Sequence, residues 1–345
     1  MTDVHATLDE LLRTAVANRG AASASLIQRA GSRPETAWLP ASSHEPAFLA
    51  YSITKMFLAV AVLQMSEDKH MDLEDPLARW FPYIASADRI SVRRLLNHTA
   101  GIPDYGGLRA YHDSVRTTPS TPWTFERFAA ETFERGLCFE PGGGWRYSNP
   151  GYMLIKRIVE ETAGASFRDV VAERIAKPLG LQRTVVAESL EDLNALATGM
   201  SQQLSVDNDL RDVRQHYHPG WVSHGVVAST ASELALFLDR LFAGDILSAD
   251  SLDQMTTLVP VPVAPPPHGG QPSYGLGLMG NPGSSCGRLL GHNGGGPGYS
   301  ASAFHARDRD GASVCVMAAI EDDFRPEDVV LAILASGSTM KVVVE

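Results

Sequence analysis

The alternation of hydrophobic and polar positions predicts the elements at the N-terminal end of this 345-residue chain. Apolar side chains three and four positions apart predict an amphipathic helix over residues 7–18. Short apolar runs at 24–27 and 37–39, separated by a Gly-Ser turn, predict two strands. The run 56–63 is apolar on every side, which predicts a buried central helix beginning at Ser52.

The pattern changes between residues 85 and 270, where helical stripes alternate with long loops. Aromatic and alanine residues form one such stripe within 125–133. Thr230 and Glu233 form a capping box in front of another helix. The proline-rich stretch 259–267 is predicted to be a loop that closes this helical region.

Strand patterns return from residue 274 onward, separated by turns rich in glycine and aspartate. The predicted strands are 274–279, 288–292, 299–306 and 312–320. A last helix over 326–335 begins at a proline, a residue that suits the first turn of a helix.

This order of elements predicts an α+β fold with an antiparallel sheet flanked by helices. The two chain ends, residues 1–84 and 271–345, would form one α/β lobe. Residues 85–270 would form a mainly helical lobe. We expect an active-site cleft between the two lobes.

The composition narrows the classes of function. Hydrophobic residues make up 44% of the chain and charged residues 20%, which is typical of a globular protein. The net charge of -11 argues against a nucleic-acid partner, which would favour a basic surface. The first residues show no basic and then apolar leader, and the longest apolar runs are too short to span a bilayer. We therefore expect no membrane partner and a cytoplasmic location.

The cysteine and histidine positions show no metal or disulfide pattern. The three cysteines, Cys138, Cys286 and Cys315, are widely spaced and include no Cys-x-x-Cys. The histidines within 216–218, and His224 nearby, lack an acidic or cysteine partner at ligand spacing. We expect a polar loop beside the cleft there, and we expect neither a metal nor a cofactor in this protein.

Ser52 and Lys55 open the central helix three positions apart, so their side chains are neighbours on one helix face. The amine of Lys55 can accept the proton of the Ser52 hydroxyl, and the helix dipole favours negative charge at this end. Ser-x-x-Lys alone is a weak signal, because many helix starts satisfy it by chance. Catalysis therefore depends on what other stretches supply.

The glycine-rich stretch 141–151 is one such stretch. It places Tyr147 and Asn149 on the same side of an extended loop, directly before a helix. A tyrosine near a cation loses its proton more readily and can share acid–base work. The asparagine can hydrogen-bond both the lysine and a substrate amide.

The stretch 291–299 is the other, and it carries His292 among several glycines between two predicted strands. Glycines let a substrate approach the backbone, where a free N–H can bind a developing oxyanion. Each of the two stretches alone could be only a turn, and a lone histidine is more often structural than catalytic.

Together and in this order, the three stretches resemble the serine β-lactamase and penicillin-binding-protein superfamily. The resemblance is to the branch of class C β-lactamases, D,D-peptidases, D-aminopeptidases and related esterases. Ser52-Ile53-Thr54-Lys55 is similar to the first motif, Tyr147-Ser148-Asn149 to the Tyr-x-Asn second motif, and His292-Asn293-Gly294 to the third. The likeness also includes residues 95–105 and spans about residues 45 to 320.

The resemblance implies a β-lactamase/transpeptidase-like fold and acyl transfer. Ser52 would attack a carbonyl to form an acyl-enzyme that water then hydrolyses. Lys55 and Tyr147 would share the general-base and general-acid roles, and which one takes the serine proton stays open because coupled groups titrate as a unit. The backbone N–H groups of Ser52 and Gly295 would form the oxyanion hole. The residues implied to orient the substrate are Asn149 and His292.

The third motif departs from that of β-lactamases, which usually have lysine where this chain has His292. A histidine can be neutral at about pH 7, so the permanent charge suited to a β-lactam carboxylate is absent. The leading expectation is therefore a serine hydrolase of small esters or amides, with carboxylesterase activity first. The alternatives are a D-stereospecific amidase, aminopeptidase or D,D-peptidase with weak β-lactamase activity, and a catalytically idle binding or scaffold protein of the same fold.

A small-molecule ester or amide is the expected partner, and the oligomeric state is left open. Tyr105, Trp145 and Trp221 either line an acyl pocket or belong to the core, and the sequence favours neither reading. His98 lies in a predicted helix-ending turn, where a structural role is expected.

Overall fold

The computed structural model describes residues 7–263, 270–321 and 324–336. Two sequence expectations lie wholly or partly outside the described residues: that of no leader at the extreme N-terminus, and the loop over 259–267, of which 264–267 are not described. The loop prediction is wrong at Val259–Pro260, which form a short strand because they pair with Ser273–Tyr274.

The strands form one large sheet and two small ones. They are β1 (Ala22–Ile27), β2 (Glu35–Leu39), β3 (Phe48–Leu49), β4 (Val185–Ala187), β5 (Met200–Ser201), β6 (Arg211–Asp212), β7 (Val226–Ser229), β8 (Val259–Pro260), β9 (Ser273–Tyr274), β10 (Met279–Ser284), β11 (Gly287–Gly296), β12 (Tyr299–Ala306) and β13 (Ala312–Ala318). The large sheet has the order β2-β1-β13-β12-β11-β10-β9-β8, and each neighbouring pair is antiparallel. The small sheets have the orders β3-β7-β4 and β5-β6.

The helices surround and separate these sheets. They are α1 (Leu8–Val16), α2 (Thr54–Glu67), α3 (Val92–Leu96), α4 (Arg109–Thr117), α5 (Phe125–Phe133), α6 (Asn149–Ala163), α7 (Phe167–Val171), α8 (Lys177–Leu179), α9 (Val213–His216), α10 (Ala231–Ala243), α11 (Ala249–Met255) and α12 (Pro326–Ser336). Short 3₁₀ turns occur at Tyr51–Ile53, Leu77–Arg79, Glu191–Leu193 and Pro219–Trp221, and a π-helical turn at Ala172–Ala176.

The two chain ends meet at the centre of the large sheet, where β1 pairs with β13 and Ala24 lies opposite Val316. Successive side chains of a strand point to opposite faces. Val316 therefore packs in the cluster formed with α1 and α12, whereas Met317 packs in the main core, where α10 lies against β13. Both faces are covered, which explains why every residue of β1 and β13 is buried. The sheet predicted from both chain ends is confirmed.

The central helix α2 is buried on all sides, as its uniformly apolar sequence predicts. It packs against α6, and the ring of Phe57 stacks on that of Phe237 in α10 with centroids 4.2 Å apart. The 3₁₀ turn Tyr51–Ile53 leads directly into α2. This turn lies against β11, so the start of the central helix is held beside an inner strand of the large sheet.

The strand predicted over 274–279 is wrong as one element. The chain forms β9, bends, and resumes as β10, because Gly277 has a φ of +76° in the bend. A Cβ on Gly277 would lie 2.6 Å from the Lys55 carbonyl oxygen, so the chain passes directly over α2 here. β11 continues to Gly296, beyond the predicted end at 292, because β12 pairs with it over that whole length.

The middle of the chain is less uniformly helical than predicted. It contains β4 and β7, and β7 pairs with β3 from the N-terminal part. Helix α10 packs on β1, β12 and β13. The division into 1–84 with 271–345 and 85–270 stays a proposal, and these contacts favour grouping α10 with the large sheet.

Candidate active site

Ser52 lies in the 3₁₀ turn before α2, and its side chain is partly exposed. The preceding residue, Tyr51, has a φ of +44°, and its hydroxyl donates a hydrogen bond to the Pro297 carbonyl oxygen at 2.6 Å. Lys55 follows in the first turn of α2 and is fully buried. The turn therefore presents the serine hydroxyl outward while the lysine stem remains in the core.

The hydroxyl of Ser52 lies between an amine and a phenol. Its Oγ atom is 3.1 Å from Lys55 Nζ and 2.8 Å from the hydroxyl of Tyr147. Lys55 Nζ also donates to Asn149 Oδ1 at 2.9 Å and lies 3.1 Å from His224 Nε2. A hydroxyl in contact with both a potential base and a potential acid is suited to nucleophilic catalysis.

The loop before α6 positions Tyr147 and Asn149. Ser148 caps α6 by accepting a hydrogen bond from the Gly151 N–H, and its own N–H donates to His98 Nδ1 at 3.2 Å. The Asn149 N–H donates to Asp104 Oδ1 at 2.8 Å. Because the backbone is held on both sides, the two side chains are directed toward Ser52 and Lys55.

His292 lies on β11 and is fully buried. Its Nε2 is 2.9 Å from the Tyr274 hydroxyl, and its Nδ1 contacts the Asn293 carbonyl oxygen. Its ring centroid is 6.3 Å from that of Tyr147, and Tyr147 is the residue that contacts Ser52.

β11 runs close beside the nucleophile turn at its glycines. A Cβ on Gly294 would lie 2.2 Å from the Ala50 carbonyl oxygen and 3.4 Å from the Ser52 nitrogen. Only glycine allows this approach. Gly295, the next residue, lines the same two cavities as Ser52.

Burial is the largest influence on the pKa values of Lys55, Tyr147 and His292. Desolvation lowers the pKa of Lys55 well below its usual value, although the charge of Asp104 opposes the shift. Desolvation raises the pKa of Tyr147, and the hydrogen bond to Ser52 opposes this only in part. The sequence argument that a nearby cation would ease the ionisation of Tyr147 is therefore wrong, because desolvation outweighs it. Burial, with the nearby Lys55, lowers the pKa of His292 to about 3.

Ser52 lies where two cavities meet. The aromatic cavity has a volume of about 230 Å³ and is walled by Tyr105, Tyr111, Tyr217 and Trp221. The polar cavity has a volume of about 370 Å³ and is lined by Tyr147, His292, Asn293, Glu321 and Glu327, among others. Tyr105 and Trp221 thus line a pocket and are also buried, whereas Trp145 contacts the rings of His98 and Tyr274 instead.

The sequence reasoning assigned no role in the site to three residues that lie beside it. Asp104 holds the Asn149 backbone, Tyr274 contacts His292, and His224 contacts Lys55. Asp104 lies within the 95–105 stretch that carries the resemblance, which is a usable signal. His224 was expected only in a polar loop beside the cleft, and its contact with Lys55 was missed because a histidine in a loop gives no spacing to the residue it will contact.

Comparison with known proteins agrees with this geometry. The family model described as Beta-lactamase matches residues 8–343. The chain belongs to the beta-lactamase family. As expected from that membership and from its solved relatives, it has the β-lactamase/transpeptidase-like fold.

Relatives of this beta-lactamase family member include penicillin-binding proteins and amidases. Penicillin-binding protein 4* of Bacillus subtilis (strain 168) is 31% identical over 264 residues, which are 72% of this chain and 55% of that protein. The D-stereospecific amidohydrolase from Streptomyces sp. is 29% identical with a TM-score of 0.82, covering 95% of this chain and 98% of that one. D-amino acid amidase from Ochrobactrum anthropi SV3, complexed with D-phenylalanine, shares the fold at 24% identity and a TM-score of 0.82, over 96% and 98% of the two chains. The chain spans about half the length of the first curated relatives it matches.

Two kinds of feature are absent from the described residues. Over 7–263, 270–321 and 324–336, no group of three or more His, Cys, Asp or Glu side chains is placed to hold a metal ion. Within the same ranges, no helix combines the length and apolar character needed to cross a bilayer.

Proposed function

We propose that this beta-lactamase family member hydrolyses small esters and amides through an acyl-enzyme on Ser52. The observation that carries the proposal is the position of Ser52 Oγ, 3.1 Å from a buried amine and 2.8 Å from a phenol. Four of the residues assigned from the sequence, Ser52, Lys55, Tyr147 and Asn149, are joined by hydrogen bonds.

Lys55 acts as the general base in this proposal, because burial favours its neutral form. It takes the Ser52 proton as Oγ bonds to the substrate carbonyl carbon. Tyr147, which desolvation keeps protonated, gives its proton to the leaving group as the old bond breaks. Water then attacks the acyl carbonyl and restores the Tyr147 proton, and Ser52 leaves with the proton held by Lys55.

The backbone N–H groups of Ser52 and Gly295 stabilise the tetrahedral oxyanion in this scheme. Support comes from the close approach of β11 to the nucleophile turn at Gly294. Asn149 orients Lys55 and the substrate. His292, neutral because its pKa is about 3, offers hydrogen bonds without a charge.

We assign the leaving group to the polar cavity and the acyl group to the aromatic cavity. The position of the proton donor supports this assignment, since Tyr147 lines the polar cavity and is absent from the described lining of the aromatic one. A cavity of about 150 Å³ has held benzene in another protein. The aromatic cavity, at about 230 Å³, therefore has room for an aromatic acyl group.

Ester hydrolysis is the first candidate because of the charge of the aromatic cavity. Arg116 is the one formally charged side chain among its described lining residues, and no carboxylate is among them. A free α-ammonium on the acyl group would lack an ion-pair partner there. An uncharged acyl group costs less to desolvate.

A D-amino acid amidase is the second candidate, favoured by the 29% identity to the D-stereospecific amidohydrolase over nearly the whole chain. The two candidates differ in whether the acyl group carries a free amine.

A cytoplasmic location stays a prediction from the sequence, which cell fractionation would test.

The test of the nucleophile is intact-protein mass after exposure to a fluorophosphonate, which phosphonylates an activated serine with loss of fluoride. We expect one adduct on the wild type and none on Ser52→Ala. An unlabelled wild type that is folded by circular dichroism would overturn the enzyme proposal and favour an idle binding protein.

Substrate class is tested with compounds that together vary the scissile bond, the α-amine and the configuration. We compare p-nitrophenyl phenylacetate with the p-nitroanilides of D-phenylalanine, L-phenylalanine and N-acetyl-D-phenylalanine. We expect the ester to have the highest kcat/KM and the acetylated anilide to exceed the free amine. A preference for the free D-amine would instead support the amidase.

A further inference from the structure

His224 is a buried histidine that the proposed chemistry has not used. It lies in the loop between the 3₁₀ turn Pro219–Trp221 and β7, and its side chain is 2% exposed. Its Nε2 atom is 3.1 Å from Lys55 Nζ. Its Nδ1 atom is buried and has no hydrogen-bond partner among the described residues.

The contact with Lys55 is therefore the one polar interaction described for this ring. A buried polar group without a partner is costly, and here one ring nitrogen is left unpaired while the other faces the lysine. Filling the same space with an apolar side chain would avoid that cost. The arrangement consequently indicates a role for the imidazole beyond packing.

Three acceptors surround Lys55 Nζ: Ser52 Oγ, Asn149 Oδ1 and His224 Nε2. A protonated lysine has three N–H bonds and satisfies all three. A neutral lysine has two N–H bonds and one lone pair. If the two N–H bonds go to Asn149 and His224, the lone pair is directed at the Ser52 hydroxyl.

Other groups around the amine act through charge or ring contact. Asp104 is the acidic one, and it favours the protonated lysine. The rings of Tyr147 and Tyr152 have centroids 4.8 and 5.4 Å from Nζ. The remaining titratable neighbours that interact with this charge are His98 and His292. None of these is a described hydrogen-bond partner of Nζ.

We propose that His224 is a positioning residue that, together with Asn149, holds neutral Lys55 with its lone pair aimed at Ser52 Oγ. The histidine does this as the neutral tautomer with its proton on Nδ1, so that Nε2 accepts from the lysine. Burial and the nearby Lys55 keep the pKa of His224 well below its usual value, which favours the neutral ring. The inference rests on the proposed function, since it presumes that Lys55 deprotonates Ser52.

The test uses two replacements of His224 and one matched control. His224→Leu fills similar space without an acceptor, whereas His224→Gln restores an acceptor oxygen. His305→Leu also removes a buried histidine, but one whose described contacts are Ser313 and Phe242, away from the active site. Thermal melts confirm that each variant is folded, and the readout is the second-order rate of fluorophosphonate labelling of Ser52 from acidic to alkaline pH.

We expect His224→Leu to label about 10- to 100-fold more slowly at its plateau, because a misaimed base costs rate on that scale. The pH at which the labelling rate falls off on the acidic side should also move lower. An acceptor stabilises the ammonium more than the amine, so its loss lowers the pKa of Lys55. His224→Gln should recover most of the rate, and His305→Leu should label like the wild type.

Other outcomes overturn the inference in distinguishable ways. A normal rate for His224→Leu makes the ring a space-filler. Equal slowing in His224→Leu and His224→Gln shows that the acceptor is not what matters. If the labelling rate of His224→Leu instead falls off at a higher pH than that of the wild type, water has entered a packing defect, since weaker desolvation raises the pKa of a lysine. Failure of the wild type to label overturns the proposed function itself.

Discussion

Lys55 and the histidines around it form a site in which burial favours the neutral form of each group. The pKa values of Lys55, His98, His224 and His292 are all lowered, with desolvation as the largest cause for each. A single amine can then act as a base near neutral pH, which an exposed lysine cannot do. The mechanism thus depends on the exclusion of water as much as on the identity of the residues.

Tyr147→Phe tests the acid role at the residue scale. Without the hydroxyl, a leaving group that needs a proton departs slowly, and general acid catalysis is worth about 10²- to 10⁴-fold. We expect kcat for an anilide or alkyl ester to fall by such a factor, and turnover of a p-nitrophenyl ester to fall far less. Steady-state kinetics on both substrates measure this. An equal loss on both would assign Tyr147 to the deprotonation of Ser52 instead.

Val115→Phe tests which cavity holds the acyl group. Val115 is buried and lines the aromatic cavity, so a larger side chain there removes room. We expect the ratio of kcat/KM for p-nitrophenyl phenylacetate to that for p-nitrophenyl acetate to fall about 10-fold or more, the scale on which pockets discriminate by size. The acetyl ester serves as the internal control. An unchanged ratio would move the acyl group to the polar cavity.

At the scale of elements, the site depends on how β11 meets the nucleophile turn. The serine comes from the turn before α2, and Gly295 comes from the sheet. Their separation is set by Gly294, whose missing side chain lets the strand approach Ala50. The proposed oxyanion hole thus depends on a contact between two elements and not on one segment.

Gly294→Ala should separate the two N–H groups. The added Cβ meets backbone at 2.2 Å, which cannot be relieved by a side-chain rotation. Loss of an oxyanion donor costs about 10²- to 10³-fold in kcat, and we expect at least that here. Gly107→Ala is the matched control, because a Cβ there meets nothing within 4 Å. The measurement is kcat of each variant after its fold has been checked. Near-normal activity of Gly294→Ala would refute the proposed oxyanion hole.

The whole molecule is built around a sheet whose two faces are both covered. Such a sheet leaves buried polar side chains that must be held neutral, and His305 on β12 is one. Its Nδ1 lies 3.0 Å from Ser313 Oγ, its ring stacks on that of Phe242, and burial lowers its pKa to about 4. Buried neutral histidines tie the free energy of unfolding to pH.

His305→Gln tests this link. The unfolded chain binds a proton to the histidine below about pH 6.5, whereas the folded protein does so only below its lowered pKa. The free energy of unfolding therefore falls as the pH falls through this window. Urea unfolding at about pH 7 and about pH 4.5 should show the wild type losing about 2 to 3 kcal/mol more than the variant. Equal losses would show that folding does not lower the pKa of His305.

Sequence patterns predicted most of the large elements. The uniform apolar run after Ser52 identified a buried helix, because only a helix packed on all sides tolerates it. Apolar runs near the start of the chain and strand patterns near its end identified most strands of the large sheet, whereas β8 lay in a stretch predicted to be a loop. The bend at Gly277 was missed, since its cause is the neighbouring backbone of Lys55 rather than anything local.

The sequence by itself determined which chemistry we propose, because Ser52 and Lys55 are neighbours three positions apart on one helix, and Tyr147 and Asn149 lie in one short motif before α6. Only the tertiary structure decided how that chemistry is tuned. His224 reaches Lys55 across a gap of 169 positions, and the two cavities exist only once distant elements pack. The pKa of each site group follows from how completely packing excludes water, a sum over the whole fold that no local pattern encodes.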